Sequence, residues 1–344
     1  MRAIVKRLAS PGVEYATTYD EPEAGPDRVV VKVAATSICG ADRHLYLWDK
    51  MGQNLRPTLP LVMGHEASGT IAGVGSSVSG WAVGDRVALE SHLMCGECYM
   101  CRTGDAHLCE RMRVLGITFD GAFAEYVSVP ASICFRLPDG ISFDAAALFE
   151  PAGVAMHAIQ RAGALTGSAV LVTGCGPIGL YLIQLALLAG AARVVAVETN
   201  PYRRAMAKEV GAIVADPGDV DVPAFCRSVV PRRGGVDVAF EASGSDMVLG
   251  SLFESVRRDG LVVTVGHPGA VSVEITNHIN MKYVVLKGVY GRRIWDTWEA
   301  LLALVAAGRI DLCHIVTHRL PITEFDHSIE LLSGDAGKIL LYPS

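Results

Sequence analysis

No stretch of this 344-residue chain is apolar for long enough to cross a bilayer. The most hydrophobic run, Leu180–Ala189, is too short and carries Gln184, so it reads as a buried helix and no membrane partner is expected. The opening residues, Met1 to Tyr15, include Arg2, Lys6 and Arg7 and alternate like a strand, without the apolar core of a signal peptide. A cytoplasmic location is therefore expected. Positive charge is not in excess either: 30 Lys and Arg stand against 36 Asp and Glu, for a net charge of −6. That balance argues against a nucleic-acid partner or an anionic membrane surface. No internal repeat or low-complexity tract is present. What remains is a compact, turn-rich protein with 51% hydrophobic residues and 36 glycines, too apolar to stay disordered. At roughly 150 residues per domain, the length predicts two domains, and the charge balance favours a small-molecule partner.

Four of the nine cysteines crowd into one short stretch, Cys95, Cys98, Cys101 and Cys109. Four thiolates are the ligand set of a closed tetrahedral zinc site with no open position, so this zinc is expected to be structural. The spacing matches neither ferredoxin pattern and no proline follows the fourth cysteine, which weighs against an iron–sulfur centre. A disulfide knot is disfavoured by the short Cys98–Cys101 loop, by the scatter of the other cysteines and by the reducing cytoplasm.

From Pro26 to Ile133, short β-type runs (Val29–Ala34, Ala67–Val74, Asp85–Leu89, Ala124–Val129) are broken by glycines, which predicts a small rolled β domain. From about Ser168 the texture becomes strand, helix, strand: Ala169–Val172, a helix over Gly179–Ala189, Arg193–Glu198, then a helix with Asn200 as N-cap and Pro201 at its first position. The rhythm continues through Val236–Phe240, a helix over Met247–Arg258 and a strand at Leu261–Val265. This predicts an α/β fold with a doubly wound parallel sheet. A further helix is expected over Trp298–Ala307.

Gly174, Gly176 and Gly179 form G-x-G-x-x-G between the first strand of that unit and its helix. In this context the pattern is a dinucleotide fingerprint, with the pyrophosphate at the helix N-terminus. Glu198 ends the next strand, where a carboxylate accepts the adenosine ribose hydroxyls and repels a 2′-phosphate, favouring NAD over NADP. Arg203 and Arg204 follow closely, and an arginine there is the residue type that accommodates the phosphate of NADP.

Three segments far apart in sequence, Cys39-Gly40, Gly64-His65-Glu66 and Glu150-Pro151, each place a candidate ligand at a glycine or proline turn. A cysteine, a histidine and a carboxylate compose a catalytic zinc site with one open position. Each alone is weak: a lone cysteine is more often a small core residue and a lone glutamate a solvated charge.

Gly64-His65-Glu66, Gly84-Asp85-Arg86-Val87, the cysteine lobe and Gly174–Gly179 occur in the order found in zinc-dependent medium-chain alcohol dehydrogenases, which the chain resembles over essentially its whole length. Ile38-Cys39-Gly40, His44 to Asp49, Glu90-Ser91-His92, Gly288 to Arg292 with Thr297-Trp298, and Val316 to Arg319 are similar to the bacterial L-threonine 3-dehydrogenases of that family. The resemblance implies a GroES-like catalytic domain over 1–152 and 294–344, bearing the zinc lobe at about 90–112, with a Rossmann NAD-binding domain over 153–293 between. It implies a catalytic zinc on Cys39, His65 and Glu66 with Glu150 close by, and a structural zinc on Cys95, Cys98, Cys101 and Cys109. It also implies NAD contacts from Ile178, Glu198, Arg203, Val265, Gly266, His267, Val289 and Tyr290, a proton relay ending at His44, and a homotetramer. The apolar run Val284–Val289 suits either an edge strand at a subunit interface or a buried interior strand.

The activity implied is oxidation of a secondary alcohol with hydride transfer to NAD, with L-threonine giving 2-amino-3-oxobutyrate. Three departures surround the substrate. Ala41 stands where the relatives carry a relay threonine or serine, Pro151-Ala152-Gly153 replaces a bulky residue and Gly-Asn, and Lys50-Met51 follow Trp48-Asp49 where a second tryptophan is usual. Another amino alcohol, a polyol or a specialised-metabolism intermediate is the alternative substrate. A zinc-free reductase of the same superfamily and a non-catalytic NAD-binding protein are the remaining alternatives, the latter opposed by the survival of Cys39, His65, Glu66 and Glu150 together.

Overall fold

The computed structural model describes residues 1–343 and shows two compact units. One comprises Met1–Pro151 and the chain from Leu302 onward; the other is Ala152–Leu301. In the first, a seven-stranded sheet runs Cys134–Arg136, Arg86–Leu89, Glu66–Val74, Arg28–Ser37, Lys338–Tyr342 and Val316–Pro321, with Tyr126–Pro130 also paired to Arg28–Ser37. Val29, Val31 and Val33 point to one face at the strand period of two and pack with Ala67, Ile71, Val87, Leu89, Val127 and Val129. A smaller antiparallel sheet places Ala3–Lys6 between Glu14–Ala16 and Leu61–Val62. The strands expected from the glycine-broken runs are present, and the registers matter for chemistry: Ser37 pairs with Glu66, and Leu340 pairs with Ser37.

In the second unit six parallel strands lie in the order Ile213–Ala215, Arg193–Val197, Ala169–Thr173, Val236–Glu241, Val256–Thr264, Val285–Gly288. Their central members read as continuous apolar runs because parallel sheets are covered on both faces, and Val170, Leu171 and Val172 are fully buried. The direction of winding reverses between Ala169–Thr173 and Val236–Glu241, the place where doubly wound sheets open a crevice at the strands' carboxyl ends. Helix Pro177–Leu188 is buried through Leu180, Tyr181, Leu182 and Ile183, as its uniformly apolar sequence predicts. Asn200 caps helix Pro201–Glu209, its Oδ1 accepting the Arg203 N–H at 3.0 Å.

Two expectations need correction or resolution. The helix expected over 247–258 is only Leu249–Ser255, and a strand starts at Val256 rather than Leu261. Val236 pairs with Val256 but Val238 with Leu261, so the strand makes an excursion through Asp259, at φ 56°, before resuming. The ladder to Val236–Glu241 takes Val256, so the helix ends at Ser255. Secondly, Val285–Gly288 is the edge strand of its sheet, with Val285 48% and Leu286 43% exposed while Val284 is buried. Among the described residues, no helix is long and apolar enough to cross a membrane.

Candidate active site

Gly64 governs the approach of His65 and Glu66. At φ +94°, with Phe123 Cδ1 only 2.5 Å from where a Cβ would stand, the position takes glycine and turns the chain from Leu61–Val62 into Glu66–Val74. His65 and Glu66 then emerge buried at the start of that strand. On the neighbouring strand Arg28–Ser37 the chain leaves the sheet at Ile38, and Cys39 becomes the N-cap of helix Gly40–Leu47. A ligand atom from each of Cys39, His65 and Glu66 lies within 4.8 Å of the others.

Each member is held from behind. Asp42, wholly buried, accepts the Cys39 backbone N–H at 2.9 Å through Oδ2 and faces His65 Nδ1 at 3.5 Å through Oδ1, beyond good hydrogen-bond length. Burial opposes the imidazolium form of His65, yet the Asp42 carboxylate, with help from Cys39, outweighs it and holds the pKa well above its ordinary value. Glu66 receives Lys338 Nζ on Oε2 at 2.6 Å and the Ser37 hydroxyl on the same oxygen. Its Oε1 is buried with no hydrogen-bond partner. Burial raises the Glu66 pKa, Lys338 opposing and Glu150 adding to the rise. The ammonium of Lys338 remains charged: burial works against it, but Glu66 prevails and raises its pKa. A soft sulfur donor, an imidazole and a carboxylate oxygen without a partner form a donor set that fits zinc.

Glu150, in the first turn of helix Phe149–Ala162, is buried and accepts the Ser91 hydroxyl at 2.7 Å. His92 and Glu90 are buried nearby in sequence, the His92 N–H donating to Glu90 Oε1 at 2.8 Å. His44 stands apart from the ligand group, three positions after Ala41 on helix Gly40–Leu47, with Nδ1 2.7 Å from Asp49 Oδ2. Asp49 in turn caps the next helix by accepting the Gly52 N–H.

The four cysteines of the lobe also converge, their sulfurs within 4.8 Å of one another. A two-stranded ribbon, His92–Leu93 against Arg113–Val114, closes the base of the lobe, and a four-residue helix, Tyr99–Arg102, is the only α-helix inside it. Backbone N–H groups of Glu97 and Cys98 point at Cys95 Sγ and lower its pKa to about 6. Desolvation pushes Cys101 up to about 12. A metal bound by the four sulfurs would displace the remaining thiol protons to solvent.

The cofactor candidates gather at the carboxyl edge of the parallel sheet, within the second unit. Gly174 is at φ +85° against Ser243, and a Cβ on Gly179 would stand 1.9 Å from the Gly174 carbonyl, so both are required by packing. Gly176 has nothing within 4 Å of its missing Cβ, an open approach to the loop backbone. Ile178 follows in the first turn of helix Pro177–Leu188. Glu198 does more than the sequence suggests: Oε2 accepts the Cys175 N–H at 2.7 Å and Oε1 the Asn200 N–H at 2.9 Å, clamping the glycine loop. Arg204 is committed to Asp216 and to the Glu198 and Thr199 carbonyls, whereas Arg203 is one turn into the capped helix. Val265 and Gly266 donate backbone N–H to the Glu241 carbonyl, with His267 exposed next to them. Val289 donates to the Thr264 carbonyl and Tyr290 is exposed.

Three residues escaped the sequence reading. Asp42 had a signal, the three-residue spacing by which an acid reaches back to an N-cap. Lys338 had none, since its strand meets Glu66 only through sheet pairing. Glu241, buried at the end of its strand, accepts from Ser243 and Gly244 through Oε1 and keeps Oε2 unpartnered; in sequence it reads only as a strand end.

The alcohol dehydrogenase GroES-like domain model matches residues 25–139 and the zinc-binding dehydrogenase model residues 177–307. L-Threonine 3-dehydrogenase of Marinomonas sp. is 37% identical over 99% of each chain. The enzyme of that name from Caldanaerobacter subterraneus is 38% identical over 100% of this chain and 99% of its own. Among solved structures, 2R,3R-butanediol dehydrogenase from Bacillus subtilis superposes with a TM-score of 0.90 at 33% identity, covering 100% of this chain and 99% of that one. A putative zinc-binding dehydrogenase from Sinorhizobium meliloti 1021 bound to NADP gives 0.88 at 32% identity over 99% of each. With a metal-competent Cys–His–Glu group on a GroES-like unit, a glycine loop on a parallel sheet and relatives matched end to end, the chain belongs to the zinc-dependent medium-chain alcohol dehydrogenases and is an oxidoreductase.

Proposed function

We propose that this chain oxidises the secondary hydroxyl of L-threonine to 2-amino-3-oxobutyrate with NAD, using one zinc at Cys39, His65 and Glu66 and a second, structural zinc at Cys95, Cys98, Cys101 and Cys109. The observation that carries the reading is the convergence of Cys39, His65 and Glu66 around a buried, unpartnered Glu66 Oε1. A zinc there would act as Lewis acid on the substrate hydroxyl, and the nicotinamide would accept the hydride. The choice of L-threonine rests on the full-length similarity to the enzymes of that name.

The chain's own residues supply the rest. With His44 Nδ1 engaged by Asp49, Nε2 is the ring atom left to take the substrate proton, and it does so through water because Ala41 offers no hydroxyl. Glu150 brings a second carboxylate towards Glu66 and Lys338, suited to the ammonium of an amino acid substrate. Glu198 retains lone pairs beyond its two backbone bonds and can still accept ribose hydroxyls, which supports NAD. Ile178, Arg203, Val265, Gly266, His267, Val289 and Tyr290 line the same edge as the glycine loop and complete the cofactor contacts. A second reading, a diol or polyol as substrate, is favoured by Ala41 and by the likeness to a butanediol dehydrogenase.

The test is reduced-cofactor production with NAD and with NADP over L-threonine, related 2-amino-3-hydroxy acids, amino alcohols and polyols, together with zinc per chain. Turnover of L-threonine is expected, with NAD preferred by about tenfold or more, a preference that Glu198→Ala narrows by the one or two powers of ten that a charged hydrogen bond supplies. Robust polyol turnover without L-threonine turnover overturns the substrate. No turnover and a single zinc per chain would leave a non-catalytic NAD-binding protein.

The homotetramer is proposed on the open edge of Val285–Gly288, where exposed Val285 and Leu286 suit a second copy of the chain. Leu286→Asp should lower the mass read by light scattering; a parent protein that runs as a monomer removes the proposal.

A further inference from the structure

We infer that Lys338 is a positioning residue for the metal centre, holding Glu66 so that one carboxylate oxygen alone is offered to the metal. The inference rests on the proposed metal at Cys39, His65 and Glu66. Lys338 stands on the strand Lys338–Tyr342, which pairs with Arg28–Ser37, which pairs in turn with Glu66–Val74. Three adjoining strands thus bring Lys338, Ile38 and Glu66 to one end of the sheet. Lys338 is 2% exposed, and its ammonium makes two bonds: to Glu66 Oε2 at 2.6 Å and to the Ile38 carbonyl at 2.8 Å.

Those two acceptors lie on the two segments that carry the ligands. Ile38 immediately precedes Cys39, and Glu66 immediately follows His65. One buried cation therefore links the cysteine segment to the histidine–glutamate segment, independently of Asp42, which links Cys39 to His65 from another side. The Ser37 hydroxyl shares Oε2 and leaves Oε1 as the free donor. Without the ammonium, Oε2 keeps only that hydroxyl and the carboxylate can rotate about its terminal torsion, which is broad and two-fold. The ligand set would then lose its preset shape, and the buried anion its counter-charge. Outer-sphere partners of this kind usually set metal affinity within one to two powers of ten.

The test uses the full chain loaded with zinc and challenged with a chelator, counting the metal retained per chain. In Lys338→Met the metal at Cys39, His65 and Glu66 should be held about tenfold or more weakly, while the four-cysteine metal is unchanged and Lys338→Arg restores most of the loss. Glu66→Gln and the double variant Glu66→Gln/Lys338→Met decide the matter if Lys338→Met does not fold. The lysine acts through the Glu66 carboxylate, so its removal should add little once that carboxylate is gone. Parent-like retention of both metals in Lys338→Met, or an equal further loss on the Glu66→Gln background, overturns the inference. A parent chain that holds zinc at the four cysteines alone would instead remove the reading on which the inference rests.

Discussion

Cys39→Ser should reduce turnover by roughly a thousandfold or more, about 4 kcal/mol of barrier, while NAD affinity changes by less than about twofold. The substitution isolates the proposed ligand role. Cys39 is the N-cap of helix Gly40–Leu47, its backbone N–H is held by Asp42, and serine is a preferred N-cap, so the local fold has no reason to change. What goes is the sulfur donor, which on a metal would supply a soft, negatively charged ligand that a neutral hydroxyl does not replace. The cofactor candidates belong to the other unit, which explains the expected separation of turnover from NAD binding. Zinc should fall from two per chain to one. Retained turnover in a variant with one zinc would remove Cys39, His65 and Glu66 from the chemistry.

Cys101→Ser is expected to have the larger effect on stability. The lobe between the ribbon strands His92–Leu93 and Arg113–Val114 has almost no core of its own: Tyr99 is 70% and Leu108 42% exposed, and Tyr99–Arg102 is a single turn of helix. In so small a module, metal binding is folding free energy, and losing one of four ligands forfeits several kcal/mol of it. At about 2–4 °C per kcal/mol for a unit of this size, the melting temperature should fall by about 10 °C. Calorimetry on parent and variant, with zinc counted alongside, reads this directly. The site of Cys39 should keep its metal, so turnover in the cold should largely survive; an unchanged melting temperature in a protein short of one zinc would show that the metal does not brace the lobe.

The parts of the molecule legible in the sequence share one property: they are written in neighbouring residues. Four cysteines within one short lobe, three glycines at a strand–helix turn, Asn200 followed by Pro201, and runs of β-branched residues at the strand period all act over a few positions. Asp42 belongs with them, because the turn that brings it to the Cys39 N–H is local. The helix ending at Ser255 is the counter-example. Val256 leaves the helix to pair with Val236, and Arg257 to Gly260 form the irregular stretch before the ladder resumes at Leu261, a pairing partner that helical periodicity does not reveal.

The chain itself, by residue type and spacing, determined the family, the two architectures and which donors were available to a metal. The tertiary structure decided which donors meet and what holds them. Lys338 reaches Glu66 across two strand pairings, and Ser91 reaches Glu150 across a third of the first unit's sequence. The Glu198 carboxylate clamps the Cys175 and Asn200 amides rather than standing free. The edge position of Val285–Gly288 was likewise settled by strand order, since an apolar run reads the same inside a sheet as at its margin. Local patterns act through torsions and capping bonds over a few residues, whereas a buried charge takes its partner from whatever the sheet register places opposite it.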